Sequence, residues 1–226
     1  FRLVFWLAVI PGALAVLVLA LGVREPPRAA DAPAVNPIRR ENLRRLSRRY
    51  WSVVAIGAVF TLARFSEAFL VLRAQQLGIA VALVPLVMVA MNLVYAASAY
   101  PFGALSDRVS HRALLAGGLA LLIAADLVLA LSSGWAGLLV GVALWGVHMG
   151  MTQGLLATMV ADTAPANLRG TAFGMFNLVS GVAMLAASVI AGLLWDAFGA
   201  AFTFYAGALF AAAALLALLL RTPARA

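Results

Sequence analysis

Cysteine is absent from this sequence, and so is lysine. The first absence excludes disulfides and thiolate metal sites but leaves the compartment open. The second makes every one of the 16 basic residues an arginine and removes the phosphate-loop pattern G-x-x-x-x-G-K-[ST], so nothing points to ATP use. Histidine is nearly missing: His111 and His148 are the only two, far apart. No H-E-x-x-H, G-x-S-x-G or metal-ligand cluster occurs, which removes the usual zinc and serine hydrolase chemistry. Charge is scarce as well. Charged residues make up 11% and hydrophobic residues 65% of the chain, against about 25% and roughly 45–50% in soluble domains. A soluble domain of this length could not bury that much apolar surface, so its solvent is lipid. The net charge of +8 does not indicate nucleic acid, because half of the arginines lie in one short loop, between residues 23 and 50.

What the sequence does have is long apolar runs. A membrane-crossing helix needs about 20 mostly apolar residues. Seven stretches qualify: roughly 3–22, 51–75, 80–104, 113–132, 135–161, 169–194 and 200–220. The segment 23–50 is Pro-rich and then Arg-rich and cannot cross. Its second half, about 37–49, is expected to form a basic amphipathic helix on the membrane surface. The other connections are short. The division is therefore a first span (1–22), a basic linker (23–50) and a six-span bundle (51–226). The chain opens without Met inside an apolar run too long for a signal peptide core. It reads as the C-terminal part of a longer protein.

Arginine orients the spans. If 23–50 is cytoplasmic, the same side receives 105–112, 162–169 and the tail. Together these carry Arg24, Arg28, Arg39, Arg40, Arg44, Arg45, Arg48, Arg49, Arg108, Arg112, Arg169, Arg221 and Arg225. The other side keeps Arg2 and Arg73 near span ends. The positive-inside rule gives one consistent topology.

One connection stands out: GALSDRVSHR, Gly103–Arg112. It resembles the G-x-L-x-D-R-x-G-R-R loop of the major facilitator superfamily of transporters. Gly103, Leu105, Asp107, Arg108 and Arg112 match; Ser110 stands for the usual Gly and His111 for the first closing Arg. NLRGTAFGMFN (Asn167–Asn177) is similar to the loop entering helix eleven in many bacterial members. The resemblance implies an all-α polytopic membrane protein: seven transmembrane helices of a twelve-helix fold, namely helix six, the central loop, and a C-terminal six-helix bundle of two inverted three-helix repeats. Gly103-x-Leu105-x-Asp107 recurs as Gly192-x-Leu194-x-Asp196, 89 residues on, which suits such repeats. The resemblance also implies a latch at Gly103, Asp107, Arg108 and Arg112 that closes against the N-terminal half of the same transporter; the plainer alternative is a tight polar turn. It implies secondary active transport by alternating access: proton-coupled efflux of small organic solutes across a bacterial inner membrane, with lipids, a small-molecule substrate and protons as partners. It implies no cofactor, metal or nucleic acid. Uptake of an organic anion is the alternative within the class. A membrane-embedded enzyme or a non-transporting scaffold are the alternatives outside it.

Polar residues inside the spans mark candidate pathways, since ionisable groups at that depth are costly unless paired or wet. Arg64 lies about 20 Å along a helix from Trp51. With Glu67 at i+3 it is expected on one helix face, as a proton-coupling pair, an anion site or a static ion pair. Asn92 and Tyr95, then His148, Thr152 and Gln153, then Asn177 and Ser180 fall in the spans that correspond to the cavity-lining helices of the resembled fold. His148 titrates near neutrality or simply bonds two helices. Asp126 is expected to make an interhelical bond. Gly146, Gly150 and Gly154 form G-x-x-x-G-x-x-x-G, a close-packing pattern. Pro85 and Pro101 are expected to kink the third span near its ends.

Overall fold

The computed structural model describes residues 2–22 and 40–220. The chain divides into two compact units, residues 1–36 and 37–226. Helix α1 (Arg2–Gly22) is the described part of the first. The second contains α2 (Arg40–Arg44), α3 (Arg48–Leu62), α4 (Ala68–Gln76), α5 (Val84–Ser106), α6 (His111–Leu131), α7 (Trp135–Thr163), α8 (Arg169–Phe198) and α9 (Ala200–Leu220), with a 3₁₀ turn at Ala166–Leu168. Arg24, Arg28, Arg39, Arg221 and Arg225, and with them most of the linker, lie outside the described residues.

Among the described residues, five helices are long and apolar enough to cross a membrane: α5, α6, α7, α8 with its preceding turn, and α9. The expected spans 80–104, 113–132, 135–161, 169–194 and 200–220 are these five. The stretch 51–75 differs: it is two helices, α3 and α4, separated by Ala63–Glu67. The surface helix expected over 37–49 is also shorter, because α2 ends at Arg44 and α3 already begins at Arg48. Ser47 separates them by capping α3, its hydroxyl accepting from the Tyr50 amide at 3.1 Å.

Local chemistry sets the other helix ends. Ser110 caps α6, its side chain accepting from the Ala113 amide at 3.3 Å. Its φ of −59° needs no glycine, which is why Ser serves where the resembled loop has Gly. Pro85 sits in the first turn of α5, where a missing N–H is harmless. Gly199, at φ +87°, makes the one-residue turn between α8 and α9, a conformation that costs a side-chain-bearing residue.

Helix α7 packs between α5 and α6, α6 packs on α9, and α3 packs on α8. Their core is mostly apolar, with Leu119, Leu122, Leu129, Leu138, Val142, Trp145 and Phe204 fully enclosed, and it also holds Asp126 and His148. The α5–α7 crossing is close because Gly146 and Gly150 have no side chains. A Cβ at 146 would lie 2.7 Å from the Met91 carbonyl oxygen, and one at 150 would strike the Ser98 hydroxyl. Gly154 has open space around it, so the third glycine takes no part in the crossing.

Long-range bonds identify which helix ends share a face of the bundle. The Tyr50 hydroxyl donates to the Ala172 carbonyl at 2.9 Å, tying the start of α3 to the start of α8. Leu46, Tyr50, Val160, Ala164 and Leu168 share a small core there, which adds the end of α7. Arg112 donates to the Leu218 and Leu219 carbonyls at 2.7 and 2.8 Å, joining the start of α6 to the end of α9. At the opposite end of α6, Arg73 of α4 donates to the Leu129, Ala130 and Ser132 carbonyls at 3.1, 3.3 and 2.8 Å. Broken or not, α3 and α4 therefore run together from one face of the bundle to the other.

Candidate functional site

The break between α3 and α4 builds the site. Phe65 turns inward, onto Trp145 and Phe204 at ring separations of 5.4 and 5.5 Å. Interrupting a helix frees backbone groups, and in lipid each free group costs several kcal/mol. Ser188 of α8 meets one of them: its hydroxyl accepts from the Ser66 amide at 3.2 Å. Ser66 meets another, its own hydroxyl accepting from the Ala68 amide at 3.3 Å. Arg64 points the other way, into a cavity.

That cavity has a volume of about 450 Å³ and lies among α3, α7 and α8. Its polar lining is Arg64, Thr61, His148, Thr152, Gln153, Asn177 and Ser180; Phe60, Phe173 and Phe176 supply an aromatic wall. The volume falls within the range usual for small-molecule sites. Among the described residues no acid lines the cavity, and Arg64 is the one charged side chain facing the space. His148 is the rear wall. Its Nδ1 lies 2.7 Å from the Gly118 carbonyl of α6. A carbonyl only accepts, so Nδ1 carries the proton. The ring stacks on Phe60 at 6.2 Å and 8°. Thr152 donates to the His148 carbonyl at 2.8 Å, and the Tyr95 hydroxyl donates to Gln153 Oε1 at 3.3 Å, which brings α5 to the edge of the site. The Ser180 hydroxyl is buried with no protein partner among the described residues, leaving it available to a guest.

The structure thus brings together Arg64, His148, Gln153 and Asn177 of the residues expected at a pathway, with Thr152 and Ser180, and places Tyr95 behind Gln153. It does not bring Glu67 or Asn92 there. Arg64 and Glu67 share no helix face, because both lie in the break; Glu67 stands at the N-cap of α4, near enough to act electrostatically on Arg64 but outside the lining. Asn92 is exposed and donates to its own helix, at the Met88 carbonyl, 2.8 Å away. The aromatic wall was not anticipated. Phe173, Phe176, Asn177, Ser180 and Met184 follow helical spacing along α8, a stripe that was there to be read.

The charged turn Gly103–Arg112 lies away from the cavity. Asp107 is the C-cap residue of α5, and Asp107 and Arg108 are exposed. Gly103 is also exposed, with open space around it. Arg112 is committed within its own bundle, to the end of α9, rather than held free for a second half. Asp126 makes no interhelical bond: both carboxyl oxygens are buried without a partner among the described residues. Among those residues no three His, Asp or Glu gather where they could hold a metal ion.

Comparison with known proteins agrees with this architecture. The family described as Major Facilitator Superfamily matches residues 54–226. An uncharacterised MFS-type transporter of Methanocaldococcus jannaschii is 31% identical over 202 residues, covering 86% of this chain and 50% of the relative. The chain spans about half the length of that curated relative.

Proposed function

We propose, from the premise that this chain belongs to the Major Facilitator Superfamily, that it supplies one wall of a solute pathway in a secondary transporter working by alternating access. Residues 51–226 are the C-terminal bundle of that transporter. Residues 1–22 are the last helix of the preceding half, and 23–50 the cytoplasmic linker. The basic face, with Arg44, Arg45, Arg48, Arg49, Arg108 and Arg169, is the cytoplasmic one.

The observation that carries this reading is the cavity itself: a space of about 450 Å³ beside a broken helix, walled by aromatic rings and hydrogen-bonding side chains, with Arg64 the one charged residue among its described lining. Such a wall suits a small amphipathic organic compound. An arginine with no acid beside it in the lining favours a carboxylate, sulfonate or phosphate on that compound. The direction we propose is export, driven by protons. Uptake of an organic anion would use the same Arg64 contact and differs only in the sign of the flux. Asp107 and Arg108, exposed at the bundle's end, are free to meet the other half as a latch. Arg112 acts in the same turn by fixing α9.

The test is transport by the complete protein in proteoliposomes, using aromatic carboxylates with neutral and cationic analogues, with a pH gradient of either sign. Carboxylates should compete best. Arg64→Gln should raise the KM for them about tenfold or more, the equivalent of one lost charge-assisted hydrogen bond of about 1.5–3 kcal/mol, and leave neutral analogues nearly unaffected. Equal loss for charged and neutral solutes would remove the anion assignment.

A further inference from the structure

Asp126 is the least explained group in the molecule. It lies five residues before the end of α6, about 7.5 Å along the axis at 1.5 Å per residue. It has no exposed surface, and neither carboxyl oxygen has a partner among the described residues. An ionised carboxylate so placed would be prohibitively costly, whereas a neutral carboxylic acid is tolerable. In this conformation Asp126 therefore holds its proton.

Its surroundings show what could release that proton. Asp126 faces Gly207 of α9. A Cβ at 207 would lie 2.6 Å from Asp126 Oδ2 and 2.8 Å from the Phe65 ring, so the glycine makes room for both. Phe65 belongs to the break between α3 and α4. It is the side chain most directly carried along if those two helices move against each other. Phe65 also packs on Trp145, whose indole N–H is buried without a partner among the described residues. Gly141 of α7 sits against Leu129 and the Ala125 carbonyl of α6, so one turn further along this antiparallel pair Trp145 comes level with Ala125 and Asp126. One phenyl ring thus adjoins both an orphan acid and an orphan donor. A small apolar void of about 10 Å³, lined by Phe65, Thr203 and Gly207 but not by Asp126 or Trp145, adjoins the ring.

The charged groups around this point are few. Helix α9 offers only Tyr205, which is exposed. On α7, His148 is bonded to Gly118 two turns away along α6, and Asp162 is at the far end. The ionisable residues of α6 itself are His111 and Arg112, at its start. In the break, Arg64 faces the solute cavity and Glu67 begins α4. Arg73 donates to the Leu129 carbonyl, one turn along α6 from Asp126.

We propose that Asp126 is a proton-binding site of this bundle, separate from the solute cavity, and that Phe65 is the plug that keeps it dry. The inference rests on the alternating-access reading above. When the break flexes and Phe65 leaves, water enters. The Asp126 O–H bond breaks, the proton passes to that water, and the carboxylate remains near the Trp145 N–H and within a turn of Arg73. Reseating Phe65 requires the proton to return first. Proton occupancy is thereby tied to the conformation of the break, and the site is Asp126 rather than Glu67.

Infrared spectroscopy of the protein in lipid tests the binding directly. The carbonyl stretch of a protonated carboxylic acid should be present at neutral pH and missing in Asp126→Asn, whose amide copies the neutral acid in shape and preserves the fold. In Phe65→Ala the band should fade at lower pH than in the unaltered protein, because a wetted acid ionises more readily. In proteoliposomes, Asp126→Asn in the complete protein should still exchange solute across the membrane but lose its stimulation by a pH gradient. An unchanged band in Asp126→Asn, or full gradient stimulation in that variant, overturns the proposal. If the unaltered complete protein moves no solute, the transport reading fails, and the infrared bands still decide whether Asp126 binds a proton.

Discussion

Arg73 illustrates how a single residue can be read correctly by position and missed by role. In the sequence it is a cation near a span end on the sparsely charged side. In the structure its guanidinium is buried and fastens three carbonyls at the C-terminal end of α6, and it also donates to Gln76 Oε1 at 2.7 Å. The last carbonyls of a helix have no partner within it, and a cation there also complements the helix dipole. Arg73→Met should therefore lower stability by about 2–4 kcal/mol, since it strands several buried acceptors. Arg73→Lys should recover only part, because one ammonium cannot span what the planar fork spans. Arg112 does the same for α9 from a partly exposed position, so Arg112→Met should cost about 1 kcal/mol. Thermal unfolding in detergent, with the three variants side by side, measures the ranking. No pattern in the sequence pairs Arg73 with residues 129–132. Only the packing of α4 against the end of the α6–α7 hairpin does so.

At the scale of elements, what was legible is what local chemistry controls. The long apolar runs give α5 to α9 with ends set by Ser110, Pro85 and Gly199. The interruption of 51–75 was not legible, because Ala-Arg-Phe-Ser-Glu contains neither glycine nor proline. Its cause is tertiary: Phe65 has an aromatic pocket to fill, and Ser188 waits on another helix to satisfy the Ser66 amide. Polar residues chosen by depth alone were accordingly sorted by that break, which turned Arg64 into the cavity and left Glu67 out of it. The glycine series shows the same limit. Three glycines at spacing four look equivalent, yet only Gly146 and Gly150 meet α5, where the Met91 oxygen and Ala99 amide would lie 2.7 and 3.0 Å from an added Cβ. Both Gly146→Ala and Gly150→Ala should cost about 1–3 kcal/mol by overpacking. Gly154→Ala, at an open site inside a helix, should cost nothing and add up to about 1 kcal/mol of stability. Comparable losses at all three positions, measured by thermal unfolding, would show that the crossing is not where the structure puts it.

For the whole molecule, the decisive question is whether the broken α3–α4 segment counts as one crossing. If it doubled back, every later helix would be inverted, and the arginines would divide between both sides. The internal bonds argue for a crossing. Tyr50 of α3 joins the start of α8, while Arg73 of α4 joins the end of α6, and those two ends are on opposite faces of the bundle. The starts of α3, α6 and α8 and the end of α9 then share one face, which collects Arg44, Arg45, Arg48, Arg49, Arg108, Arg112 and Arg169. Among the described residues of the bundle, Arg73 alone marks the other face, and it is consumed as a helix cap. The asymmetry matches the rule that short arginine-rich connections stay in the cytoplasm. Because this chain has no cysteine, a thiol introduced here can be unique once any cysteine elsewhere in the complete protein is removed. Arg108→Cys and Asn167→Cys should react with a membrane-impermeant maleimide from the cytoplasmic side. Ala80→Cys and Ser133→Cys should react from the opposite side. Labelling of Ala80→Cys and Arg108→Cys from the same side would mean that α5 does not cross. The shared basic face and the pathway built on it would then both be lost.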